Sequence, residues 1–194
     1  MIFKIDEEKE RDILYNFIKI KKSEAIFEAY KIECEFAPIS NDNEFIKKQV
    51  DVIKKIWNLV AENYYNKLGK FYEIKISEPD ITCLLTRFSI FPYNFSNDGS
   101  EKCFSAPLFA NPVERNRIIM HELCHYFQPV ELPESIKEAI PVILNDQDNF
   151  KMYSNEKGHQ NDEEQKWRKI IWDLYNRGEK FSDLLKIIKE NQQN

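Results

Sequence analysis

Two of the three histidines in this chain stand four residues apart, in His121-Glu122-Leu123-Cys124-His125. On a helix, residues four apart lie one above the other on the same face. Two imidazoles placed that way can turn to one ion. Glu122 is displaced about 100° round the helix and can reach a water on that ion without being a ligand itself. Zinc accepts nitrogen and oxygen donors in a tetrahedron, and a catalytic site keeps one position for water. The chemistry such a set supports is hydrolysis by an activated water, with Glu122 as general base. With only 3 His in 194 residues, the pattern arises by composition on the order of once in two hundred such chains. The plain alternative is a pair of ordinary helical histidines beside a surface glutamate.

The segment that carries the motif reads as a well-signalled helix. Asn111 fits the N-cap, Pro112 the first helical position and Glu114 the third position of a capping box. The helix runs through Ile118-Ile119-Met120 and the motif to Phe127, and Pro129 marks its end. A second helix is predicted from Pro133 to about Leu144, where Pro141 would kink or shorten it.

The lead-in Ile118-Ile119-Met120 followed by His121-Glu122-Leu123-Cys124-His125 resembles the active-site helix of the zincin metallopeptidases. The resemblance covers about 88–144, as strand, turn, edge strand, motif helix and a second helix bearing an acid. In the gluzincin branch a glutamate on that second helix completes the metal site. Glu138, in Ser135-Ile136-Lys137-Glu138-Ala139-Ile140, is the best match, and Glu134, one helical turn earlier, is its rival. The short gap from His125 to Glu138 is more similar to the compact minigluzincins than to the thermolysin-like enzymes. The acid that often follows the third ligand in those enzymes is absent. Pro141 and Val142 stand where it is sought, so the group that orients His121 or His125 is left open. The resemblance implies one Zn2+ per chain, held by His121, His125 and Glu138, and peptide hydrolysis with Glu122 moving the proton. The first third of the chain has no part in it.

Four further residues bear on that site. His159 in Lys157-Gly158-His159-Gln160 is a surface loop histidine, a donor to the oxyanion or an alternative metal ligand, and Tyr153 is a second candidate donor. Cys103 lies in a segment faintly similar to the cysteine ligand of peptide deformylases, but its spacing to His121 is too short, so it reads as a buried strand residue. Cys124 falls on another helical face than the two histidines, which makes packing its default role.

The elements that must position the motif follow from periodicity. Helix is predicted over 6–30 and, after a break at Pro38–Asn43, over 43–68, with Gly69 at a helix stop. The stretches 71–76, 81–91 and 102–109 read as strands, and Asn97-Asp98-Gly99 as a turn between two of them. The last of these would be an edge strand able to pair with an extended peptide. Two helices, 162–176 and 180–190, close the chain around Gly178. The fold class is α+β, a zincin-like unit with a small, mainly antiparallel sheet, an active-site helix and added N- and C-terminal helices. A single domain over 1–194 is expected, with a helical part at 1–69, a catalytic core at 70–145 and a C-terminal loop and helices at 146–194.

Composition excludes several other classes. A net charge of -5 with no basic stripe argues against nucleic acid. Only 4 Gly, with no Gly-rich phosphate loop, argues against nucleotide binding. No stretch approaches a membrane span, and the acidic start lacks the apolar run of a signal peptide. Cys34, Cys83, Cys103 and Cys124 form no CxxC pair and are expected reduced. A cytoplasmic protein is expected, with a peptide or flexible protein segment as substrate and no nucleic-acid or membrane partner. The sequence leaves the oligomeric state open. A catalytically inactive or latent zincin-fold binding protein is the alternative function.

Overall fold

The computed structural model describes residues 1–12, 44–77, 80–87, 102–145 and 161–193. The elements run β1 (Ile2–Lys4), α1 (Glu44–Tyr72), β2 (Thr82–Thr86), β3 (Cys103–Pro107), α2 (Pro112–His125), α3 (Glu134–Asn145), α4 (Asp162–Asn176) and α5 (Phe181–Gln193). Helix and strand are mixed, so the fold is α+β. The chain divides into two compact units, one of Met1–Ile56 with Asp80–Arg115 and one of Trp57–Pro79 with Asn116–Asn194.

The first unit holds the sheet, whose strand order is β1-β2-β3. Both pairings are parallel, with Phe3 opposite Cys83 and Cys83 opposite Phe104. This corrects the expectation of a mainly antiparallel sheet. All ten residues of β2 and β3 are buried, the pattern of parallel strands covered on both faces. The turn at Asn97-Asp98-Gly99 lies outside the described residues. Beside the sheet, buried Glu10 pairs with the Arg87 guanidinium, its Oε2 2.9 Å from Nη2. Asp6 caps the helical turn that begins at residue 7, accepting from the Lys9 amide at 3.2 Å.

The second unit is helical among the described residues. Residues 71–76, expected as a strand, instead complete α1 through Tyr72 and then turn. Their aromatic side chains pack a helix end: the Phe181 ring lies 5.0 Å from Tyr72 and 6.0 Å from Phe71. Gly69 does not stop the helix. It admits a close approach, because a Cβ there would lie 2.7 Å from the Ile74 carbonyl oxygen. The helix ends at Glu73, which takes a φ of 59°. Tyr64, Leu68, Met120, Leu123, Ile136, Ile140, Ile171 and Leu184 are fully buried and form the core of this unit.

Helix α2 starts as its sequence predicts, with the Asn111 side chain accepting from the Glu114 amide at 2.9 Å. It ends at His125, followed by a tighter turn in which the amides of Tyr126, Phe127 and Gln128 bond three residues back. Helix α3 runs through Pro141 without a break and packs on α4. The four residues Asn161–Glu164 open α4, with the Glu164 amide held by the Asn161 side chain at 2.8 Å. Gly178, with a φ of 72°, separates α4 from α5. Among the described residues, no helix is long and apolar enough to cross a membrane.

Candidate metal centre

The motif residues and Glu138 all belong to the second unit. Along α2, Ile119, Met120, Leu123 and Cys124 have no exposed surface. His121 and His125 keep 13% and 16% of their side chains exposed. One stripe of the helix is therefore sealed in the core, while the stripe of i, i+4 histidines borders solvent. The two imidazole rings stand edge to face with centroids 4.8 Å apart. One nitrogen of each ring and one carboxylate oxygen of Glu122 all lie within 4.8 Å of one another. Glu122 itself is nearly buried.

Glu138 reaches both imidazoles from α3. Its Oε2 is 3.1 Å from His121 Nε2, and its Oε1 is 3.5 Å from His125 Nε2. A tetrahedral zinc with nitrogen and oxygen ligands at about 2.0–2.2 Å separates neighbouring donor atoms by about 3.3–3.5 Å. Each Glu138 oxygen lies close to that span from a different imidazole, and His121, His125 and Glu138 offer the donor types that zinc takes. Burial, and next the neighbouring His121, push the His125 pKa below the ordinary histidine value. The neutral imidazole, which is the form that ligates a metal, is thereby favoured.

The rival acid stands elsewhere. The Glu134 side chain is 79% exposed, and its Oε2 sits 4.0 Å from Lys137 Nζ. Glu138 is the one of the two that touches both imidazoles. A cleft of about 480 Å³ opens beside it, lined by Glu134, Ser135, Glu138, Asn161, Glu163 and Glu164. Glu164 is held at the base of α4 by an ion pair with Arg168.

Cys124 is buried behind the motif with its sulfur 3.3 Å from the Tyr72 hydroxyl. Burial, and next Cys124, raise the Tyr72 pKa well above the usual phenol value, so Tyr72 is a protonated packing partner of the Cys124 sulfur. Cys103 is a buried residue of β3 in the first unit, its thiol pKa raised by burial. His159, Tyr153 and Cys34 lie outside the described residues. Sequence reasoning missed Gln128, whose Oε1 lies 2.9 Å from His125 Nδ1. The available signal was its spacing, three residues after His125 where the helix tightens. No family model, curated protein or solved structure matches this chain.

Proposed function

We propose that this chain is a zinc-dependent metallopeptidase of the zincin type, with a gluzincin-like ligand set. The observation that carries the reading is that the Glu138 carboxylate meets His121 Nε2 at 3.1 Å and His125 Nε2 at 3.5 Å, while a Glu122 oxygen lies within 4.8 Å of one nitrogen of each ring. The donor set supports it as well. Two imidazoles and one carboxylate match catalytic zinc sites, which use three protein ligands and leave the fourth position open.

His121, His125 and Glu138 would hold the ion. Bound zinc supplies Lewis acidity and makes water a competent nucleophile near neutral pH. Glu122 is the general base: its nearly buried carboxylate takes the proton of the attacking water and passes it to the departing amine. The volume of the cleft beside Glu138 falls in the usual range for ligand sites, giving room for a peptide or flexible protein segment.

The test is metal content of protein purified without added metal or chelator, followed by hydrolysis of an unstructured peptide library. The expected result is about one zinc per chain, lost in His125→Ala, and cleavage that a chelator abolishes. Wild-type protein that neither carries zinc nor takes it up on titration overturns the reading.

A further inference from the structure

Helix α3 contains a carbonyl that its own helix cannot serve. In an α-helix the carbonyl of residue i accepts from the amide of residue i+4. The residue four beyond Lys137 is Pro141, which has no N–H. Yet α3 continues through Pro141 to Asn145. The Lys137 carbonyl accepts instead from the side chain of Gln128, whose Nε2 lies 3.0 Å away.

That bond fixes which way the Gln128 amide points. A backbone carbonyl can only accept, so the atom facing Lys137 must be the amide nitrogen. The Gln128 oxygen then faces His125 Nδ1 at 2.9 Å. An amide oxygen also can only accept, so Nδ1 must carry a proton. In the neutral ring, Nε2 is then the bare nitrogen. The backbone prepares the contact, because the Gln128 amide bonds to the His125 carbonyl at 3.1 Å. In that i, i+3 geometry, side chains three apart eclipse each other.

The asymmetry around Glu138 agrees with this proton placement. Its carboxylate makes a hydrogen bond of 3.1 Å with His121 Nε2 but stays 3.5 Å from His125 Nε2. A bare Nε2 and a carboxylate oxygen oppose lone pair to lone pair, an arrangement that a cation between them relieves.

We propose that Gln128 is a positioning residue of the metal centre: locked by the carbonyl that Pro141 leaves unserved, its amide holds the His125 proton on Nδ1 and presents Nε2 to the ion. The same side chain ties His125 to the residue immediately before Glu138, so one amide sets two of the three ligands in register. This answers, from outside the usual acidic position, how a ligating histidine gains the partner that fixes its tautomer. The proposal rests on the zinc reading above for its function, but the proton placement is a property of the metal-free protein.

The experiment uses full-length wild type, Gln128→Leu and Gln128→Glu. Nitrogen-15 spectra of the histidine rings are recorded on metal-free protein, and zinc affinity is measured by competition with a chromophoric chelator. Wild type is expected to show His125 as the Nδ1–H tautomer. Gln128→Leu should lose that signature and bind zinc about 10–100-fold more weakly. Gln128→Glu keeps an acceptor for Nδ1–H but gives up the donor to the Lys137 carbonyl, so it should restore the tautomer, which a merely structural role would not do, and only part of the affinity. Thermal melts identify a variant that fails to fold, and the wild-type spectrum decides the tautomer without either variant. An Nε2–H signature in wild type overturns the proposal, as does a Gln128→Leu protein with unchanged tautomer and affinity, while both leave the zinc site standing. Wild type that takes no zinc overturns the metal reading instead, and with it the role assigned to Gln128.

Discussion

The Tyr64 hydroxyl lies 2.6 Å from the carbonyl oxygen of Met120, the residue immediately before His121. It is also 2.8 Å from the side-chain amide of Asn145. A hydroxyl has one proton to give. The shorter contact takes it, and Asn145 is best oriented with its NH2 donating to the Tyr64 oxygen. That orientation gives the Asn145 nitrogen the partner that the opposite one leaves lacking. Both bonds are buried, and they tie α1 to the lead-in of the motif and to the end of α3.

Tyr64→Phe therefore removes two buried hydrogen bonds without opening a large cavity. The expected loss is about 1–3 kcal/mol of unfolding free energy, read by denaturant titration, with zinc stoichiometry unchanged. A variant as stable as wild type would show that the hydroxyl anchors nothing.

Glu122→Gln keeps the shape of the side chain and removes its basicity. Zinc content should stay at the wild-type level, while peptide hydrolysis falls about 10²–10⁴-fold. Turnover equal to wild type rules out Glu122 as the base.

The two acids of α3 should separate cleanly. Glu138→Ala removes the only one of them that touches both imidazoles, so zinc should be lost or bound far more weakly. Glu134→Ala trims an exposed side chain and should bind zinc as wild type does. The reverse ranking in equilibrium zinc titrations would hand the ligand role to Glu134.

Metal binding should also be visible as stability. A ligand present at about 100 times its Kd stabilises the fold by about 2.7 kcal/mol. Zinc added to chelator-stripped wild type should raise Tm, and the same addition to His121→Ala should not. Equal shifts in both proteins would place the zinc elsewhere.

Asp6 gives a pH test in the first unit. The Lys4 ammonium beside it, and next the Lys9 amide, hold its carboxyl below the usual aspartate value. A depressed carboxylate stabilises the folded state above its unfolded pKa, and the contribution is lost as pH falls through the folded value. Asp6→Ala should therefore cost about 1 kcal/mol at neutral pH as a lost N-cap. The gap from wild type should close progressively below about pH 4. A gap that stays constant to pH 2 would mean that the charge contributes nothing.

Much of the candidate site is readable from spacing. His121, His125 and Glu122 are placed by the 3.6-residue period alone, and Asn111 and Pro112 announce where their helix begins. Strand direction was not readable. Aromatic and β-branched residues mark 81–91 and 102–109 as extended, but parallel and antiparallel partners draw on the same residue types. The deciding sign, burial on both faces of β2 and β3, depends on neighbours distant in the chain. Phe71 and Tyr72 misled for a related reason, because ring packing against Phe181 overrides a local preference for strand. Gln128 was hidden because its importance depends on Pro141, thirteen positions away, and only the folded chain brings that unserved carbonyl to it.

Glu138 stands at once in the imidazole cluster and in the wall of the acidic cleft. On the proposed reading, whatever enters that cleft and whatever binds between the histidines share one carboxylate, so neither equilibrium is independent of the other. Thermodynamic linkage makes this influence reciprocal. A guest that competes for the Glu138 oxygens should loosen the metal by the same factor that the metal loosens the guest. Loading and release of the ion would then report on the traffic through the cleft.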